Sequence, residues 1–153
     1  MEKIAFKKAV LTAAKAKQAQ IIDDFKVRIN DLNDIEHVED EDQHDLDQQA
    51  ANQSSKEMVA ILTKELRFAE EEMNLLQRML VPDHAVDEVV LGAIVETDAY
   101  IFYPSVSLER FEAAGKQLFG LSKKAPLFAE MKGKKKGETF SYNGINYTIN
   151  AVY

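Results

Sequence analysis

Cysteine is missing from the 153 residues, and so is tryptophan. Without cysteine there are no disulfides, no thiolate nucleophile and no cysteine-held metal, and a reducing cytoplasmic location is the expectation. Proline and glycine are absent until Pro82, so no helix breaker occurs in the first 81 residues. No apolar run approaches the ~18 residues of a membrane-spanning helix. Lys3, Lys7 and Lys8 are followed by neither a continuous hydrophobic region nor a cleavage site, so no signal peptide is expected. Histidine occurs only at positions 37, 44 and 84. There is no nucleophile elbow, and Gly133-Lys134-Lys135-Lys136-Gly137 lacks the spacing and the following Lys-Ser/Thr of a phosphate loop.

What is present is 46% hydrophobic and 29% charged residues, the balance of a folded, soluble protein of one ordinary domain or two small ones. The charge is unevenly placed. From Ile29 to Ser55 there is no Lys or Arg, but there are nine acids. The whole chain carries −7 and this segment −9, so the remainder stands at +2. A sequence pI near 5.0 disfavours nonspecific duplex binding by the whole protein. The density peaks at Glu39-Asp40-Glu41-Asp42-Gln43-His44-Asp45-Leu46-Asp47, with six carboxylates in nine residues. Clustered, unpaired carboxylates are too costly to bury, so the stretch belongs at a wet, protruding end. It is either a solvated helix-hairpin tip or a presented anionic, metal-binding tip.

On both sides run helical patterns. Ile4, Leu11, Gln18, Phe25 and Leu32 share a seven-residue register in which Gln18 is the polar member. Met58, Leu62, Ala69, Met73, Leu76 and Leu80 form the second stripe, with Ile61, Phe68 and Leu75 alongside. Each stripe needs a partner, and the nearest is the other. The expectation is an antiparallel coiled-coil hairpin over residues 1–81, its arms roughly 50 Å long and its acidic tip near 39–48.

Pro82-Asp83 ends the second helix, and composition then changes over a second domain, 88–153. Strands are expected at Glu88–Val95, Tyr100–Tyr103, Gln117–Leu121, Thr139–Tyr142 and Ile145–Tyr153. Leu108–Ala114 is open between helix and strand. Pro126 and Gly133 bracket a short helix over Leu127–Lys132, and Asn143-Gly144 signals a hairpin turn. The fold class is therefore α+β: a helical hairpin followed by a small, mostly antiparallel β domain. His37, Glu41 and His44 fall at i, i+4 and i+7, a conceivable metal set or incidental polar residues of an exposed helix. Lys134, Lys135 and Lys136 form an exposed basic turn, suited to an acidic partner or simply solvated.

The last sixty or so residues resemble the FKBP-like C-terminal domain of the bacterial Gre transcript-cleavage factors. Leu91-Gly92-Ala93-Ile94-Val95 is similar to the family's Phe-Gly-Ala-x-Val, and Leu121-Ser122-Lys123-Lys124-Ala125-Pro126 to its Ile-Ser-x-x-Ser-Pro. Met131 to Glu138 is similar to its Leu-x-Gly-Lys-x-x-Gly-Asp, and Ile149-Asn150-Ala151-Val152-Tyr153 to its closing strand. The family's tip motif, Asp-Leu-x-Glu-Asn-Ala followed by Lys-Glu, aligns without gaps to Asp45-Leu46-Asp47-Gln48-Gln49-Ala50 and then Lys56-Glu57. Gln48 departs from the pattern, standing where the family has its second essential acid.

The resemblance implies a cytoplasmic transcription elongation factor that binds RNA polymerase through its secondary channel. Its tip acids, Asp45 with Asp42 or Asp47, would act at a Mg²⁺ shared with the polymerase, none being held tightly by the free protein. The polymerase would then cleave its own backtracked transcript. Such a factor is not itself an enzyme; it meets the RNA 3′ end indirectly, DNA only through the polymerase complex, and no membrane. Lys134, Lys135 and Lys136 would contact the partner. Gln48 keeps a second outcome open, a channel-binding regulator without cleavage activity. The FKBP-like resemblance alone implies a prolyl isomerase or chaperone, which requires an aromatic-lined apolar pocket. A plain coiled-coil adaptor is the remaining alternative.

Overall fold

The computed structural model describes residues 2–39 and 46–153, with backbone alone at 35–39 and 46–52. Two long helices come first, α1 (Glu2–Glu39) and α2 (Leu46–Arg78). Both are uninterrupted because neither contains Gly or Pro. α2 stops at Arg78, four residues before Pro82, and the Met79 amide closes a tighter last turn on the Leu76 carbonyl at 3.2 Å. No described helix is long and apolar enough to cross a membrane.

Six strands and one short helix complete the chain: β1 (Val95–Thr97), β2 (Ile101–Ser105), β3 (Leu108–Ala113), β4 (Lys116–Ser122), α3 (Pro126–Met131), β5 (Thr139–Tyr142) and β6 (Ile145–Val152). They form one mixed sheet in the order β3-β4-β2-β1-β6-β5. All pairings are antiparallel except β2 with β4, which run parallel in the register Phe102↔Phe119 to Ser105↔Ser122. The architecture is thus α+β.

Several local expectations are corrected. The run Glu88–Val95 is not one strand. Gly92 takes φ +86°, the Ala93 amide bonds the Val90 carbonyl at 3.1 Å, and pairing into the sheet begins only at Val95. Glycine's freedom at positive φ turns the chain there despite the β-rich composition. β2 continues through Pro104 rather than stopping before it. The Pro104 carbonyl receives the Gly92 amide at 2.8 Å, beyond the two β1–β2 pairs, so proline's missing N–H breaks no ladder bond. Leu108–Ala113 is a strand, and Ala114-Gly115, at φ 49° and 78°, makes its two-residue turn to β4. Asn143-Gly144, at φ 52° and 77°, makes the corresponding turn expected between β5 and β6. α3 begins with Pro126 and ends one residue before Lys132, with Gly133 at φ +78° just beyond.

By packing, the chain forms two compact units, Met1–Lys17 with Asn74–Tyr153, and Gln18–Met73. In the second, Gln18, Ile22, Leu62 and Ala69 are the buried residues among those described. In the first, Val10, Leu11, Ala14 and Leu76 are buried on the helices. Val89, Val95, Phe102, Phe128, Met131, Phe140, Tyr147 and Ile149 form the core of the sheet. Phe140 and Tyr147, cross-strand neighbours on β5 and β6, stack with centroids 5.0 Å apart, and Phe102 meets Tyr147 edge-on at 5.9 Å.

Candidate functional site

Asp42 and Asp45 lie outside the described residues, as do Glu41 and His44 of the alternative metal set. Asp47 and Gln48 belong to the first turn of α2, where the backbone alone is described, and His37 to the last turns of α1. Among the described residues no group of three His, Asp or Glu is placed to hold a metal ion. The described part of this region is the pair of long helices that end and begin on either side of the acidic stretch. Between them Gln18 Nε2 donates to the Ala69 carbonyl at 2.9 Å, across 51 positions of sequence.

The basic turn is structural as well as charged. The Val89 amide donates to the Lys134 carbonyl, and the Gly133 amide to the Val89 carbonyl, both at 2.9 Å. The Lys135 amide donates to Glu138 Oε2 at 2.6 Å, and Lys135 Nζ lies 3.6 Å from Asp87 Oδ2. Lys135 and Lys136 are exposed as expected; Lys134 is half-buried, because its backbone is paired to the segment before β1. The Lys135–Asp87 pair is solvated on both sides and contributes little to stability.

A second basic feature was not legible as a site in the sequence. Lys123 and Lys124 precede α3 and Lys132 comes just after it, so the two ends of one short helix bring three exposed lysines around one groove of about 690 Å³. Its floor is apolar: Val90, Leu91, Phe128 and Ala129. The turn into α3 is held by the Ala125 amide on the Ser122 carbonyl at 2.9 Å and the Lys124 amide on Ser122 Oγ at 3.1 Å. Leu91 remains 42% exposed there, which leaves an apolar anchor point inside a cationic rim.

On the sheet lies an aromatic cavity of about 390 Å³, lined by Tyr100, Phe102, Phe119, Tyr142 and Tyr147 among others. Tyr100 stands edge-on to Phe119 at 5.2 Å and to Phe102 at 6.0 Å. The Arg110 guanidinium sits 5.7 Å from the Phe119 centroid. Leu127 from the first turn of α3 and Ile145 after the Asn143-Gly144 turn complete the wall. Gly120 is needed at its back, because a Cβ there would collide with the Val106 carbonyl and approach Leu108 Cβ to 2.8 Å. These rings come from β2, β4, β5, β6 and the residue before β2, and their convergence depends on the parallel β2–β4 pairing.

The end of β6 carries a polar cluster. The Tyr153 hydroxyl donates to Glu96 Oε1 at 2.9 Å, and Lys116 Nζ lies 3.5 Å from the same oxygen. Lys3 Nζ stands 5.2 Å from the Tyr153 ring centroid. Burial above all, then the bond to Glu96 and its charge, pushes the Tyr153 phenol well above its ordinary range. Burial alone pushes Tyr103 up to about 12.

No protein-family model matches the chain, and no curated protein matches it.

Proposed function

We propose that the chain is a Gre-like factor that enters the secondary channel of RNA polymerase and presents its acidic stretch at the active-site Mg²⁺. The observation that carries the reading is the setting of that stretch. Six carboxylates in nine residues, Glu39 to Asp47, run from the last residue of one uninterrupted helix of 38 residues to the start of another of 33, and Gln18 and Ala69 of those helices are hydrogen-bonded. That bond supports the antiparallel hairpin, and the mixed sheet with a single short helix supports the FKBP-like reading of residues 88–153. In this proposal Asp45, with Asp42 or Asp47, supplies carboxylate oxygens to a Mg²⁺ shared with the polymerase. When bound, that ion stabilises the attacking and leaving oxygens of transcript hydrolysis. The groove bounded by Lys123, Lys124 and Lys132, with Lys135 and Lys136 nearby in sequence, offers cationic and apolar groups for docking on an acidic partner surface.

The test is transcript cleavage in backtracked complexes of the cognate polymerase. Asp45→Asn should abolish stimulation while leaving polymerase binding nearly intact, since it keeps shape and removes charge. Gln48→Glu, three residues from Asp45, should raise cleavage, most visibly at limiting Mg²⁺. If both the natural protein and Gln48→Glu bind polymerase without promoting cleavage, the non-cleaving channel regulator is the correct form of the proposal. If neither binds, the channel reading is wrong.

The aromatic cavity supports a second reading, prolyl isomerase or chaperone activity. An apolar, aromatic-lined pocket open at Tyr100 and Ile145 suits an apolar peptide segment. A proline-isomerisation assay with a model peptide decides it: no acceleration, together with no peptide binding, excludes this activity.

A further inference from the structure

We propose that Gln18 is a register pin, the residue that selects one alignment of α1 against α2 in the unit Gln18–Met73. The apolar pattern by itself repeats. On α1 the positions Ile4, Leu11, Phe25 and Leu32 recur every seven residues around Gln18, and on α2 Leu62, Ala69 and Leu76 do the same. Sliding one helix by a heptad, about 10 Å, again sets positions of one seven-residue register against the other, so periodicity alone does not choose the alignment. Within the unit Gln18–Met73 two features break this degeneracy. Gln18 is 1% exposed and donates its amide to the Ala69 carbonyl at 2.9 Å. Ala69, itself 4% exposed, is the only small residue of its stripe.

The two fit each other chemically. Ala69 lies within α2, so its carbonyl already serves the helix and receives Gln18 on its second lone pair. A side chain as small as alanine's lets Gln18 come close to the α2 backbone at this level. In either slid alignment Gln18 would face Leu62 or Leu76, whose bulk holds the α2 backbone out of its reach, and its amide would be buried without a partner. The present alignment already leaves Gln18 Oε1 without a protein partner among the described residues. A group that is only half satisfied contributes little to stability; its effect is to make every other alignment worse. The inference holds whatever the acidic stretch does.

The absence of native cysteine makes the test clean. Spin labels are placed at Asp24→Cys and Lys64→Cys, both exposed in this unit, and the distance distribution is measured in the full chain. It is compared with the same pair carrying Gln18→Leu or the near-isosteric Gln18→Met. The natural residue should give one narrow distance. Each variant should remain helical, melt ~3 °C or more higher, and show a second distance population or a mixture of monomer and dimer by sedimentation. Either folded variant suffices. A single narrow distance in a monomeric Gln18→Leu or Gln18→Met protein, whatever its melting temperature, would overturn the proposal.

Discussion

In the helical unit Gln18–Met73, four side chains are buried among those described, and one of them is an amide. In the unit containing the sheet, eight residues form the sheet core alone, four of them aromatic. The helices satisfy their backbones internally and need each other only along one stripe, so most of their surface is free to carry charge. The sheet must cover a whole face, and it does so with large rings whose placement depends on strand pairing. A unit of the first kind displays residues; a unit of the second kind makes cavities and grooves. Both proposed functions follow that division: the acidic stretch is bracketed in sequence by the two helices, and the lysine-rimmed groove and the aromatic hollow belong to the unit with the sheet.

The comparison can be broken by truncation. Phe140→Ala should destabilise by about 3–5 kcal/mol, and Leu62→Ala by only about 2 kcal/mol, the low end for a large aliphatic, because fewer atoms surround it. Urea titrations of both would check this; equal losses would mean that the helical stripe is packed as densely as the sheet.

Gly120→Ala sharpens the same contrast. The added methyl meets backbone at Val106 and the Leu108 Cβ, neither of which can swing away, so a loss of about 1–3 kcal/mol is expected. Because Gly120 lines the aromatic cavity, the peptide binding proposed for that cavity should weaken with it.

A smaller effect is expected at Tyr153. Removing the hydroxyl with Tyr153→Phe should cost about 1 kcal/mol near neutrality. The raised phenol also sets a sign. Its folded-state value lies above the ordinary value of 10.0, so its contribution is present below pH 10 and is lost as pH rises through the folded value. Lys7 works oppositely, since burial lowers its value below 10.5 and folding gains as its charge is lost. The difference between natural and Tyr153→Phe proteins isolates the phenol: their stability gap should narrow above pH 10. A constant gap would assign the loss to packing.

The smallest change in stability should come from Lys123→Gln, Lys124→Gln and Lys132→Gln together, within about ±0.5 kcal/mol per site. Their readout is polymerase affinity at low salt, which should weaken, with a shallower salt dependence. Unchanged affinity would leave the groove without a docking role.

The sequence alone determined the parts whose causes are local. Two uninterrupted helices arise from apolar residues at helical spacing and the absence of glycine and proline before Pro82. The β5–β6 turn comes from Asn143-Gly144, and α3 from Pro126 and Gly133. The acidic stretch could be singled out because charge density needs no fold to be read. Tertiary structure decided the features that depend on distant partners. Gly92 turns inside a run that reads as strand, Pro104 sits within β2 because its carbonyl meets Gly92, and Lys134 is half-buried because Val89 pairs with it. The lysine-rimmed groove and the aromatic cavity exist only once α3 sets the lysines at its two ends around one groove and β2 runs parallel to β4. Backbone propensity acts over a few residues, whereas strand pairing and side-chain packing are settled between residues tens of positions apart.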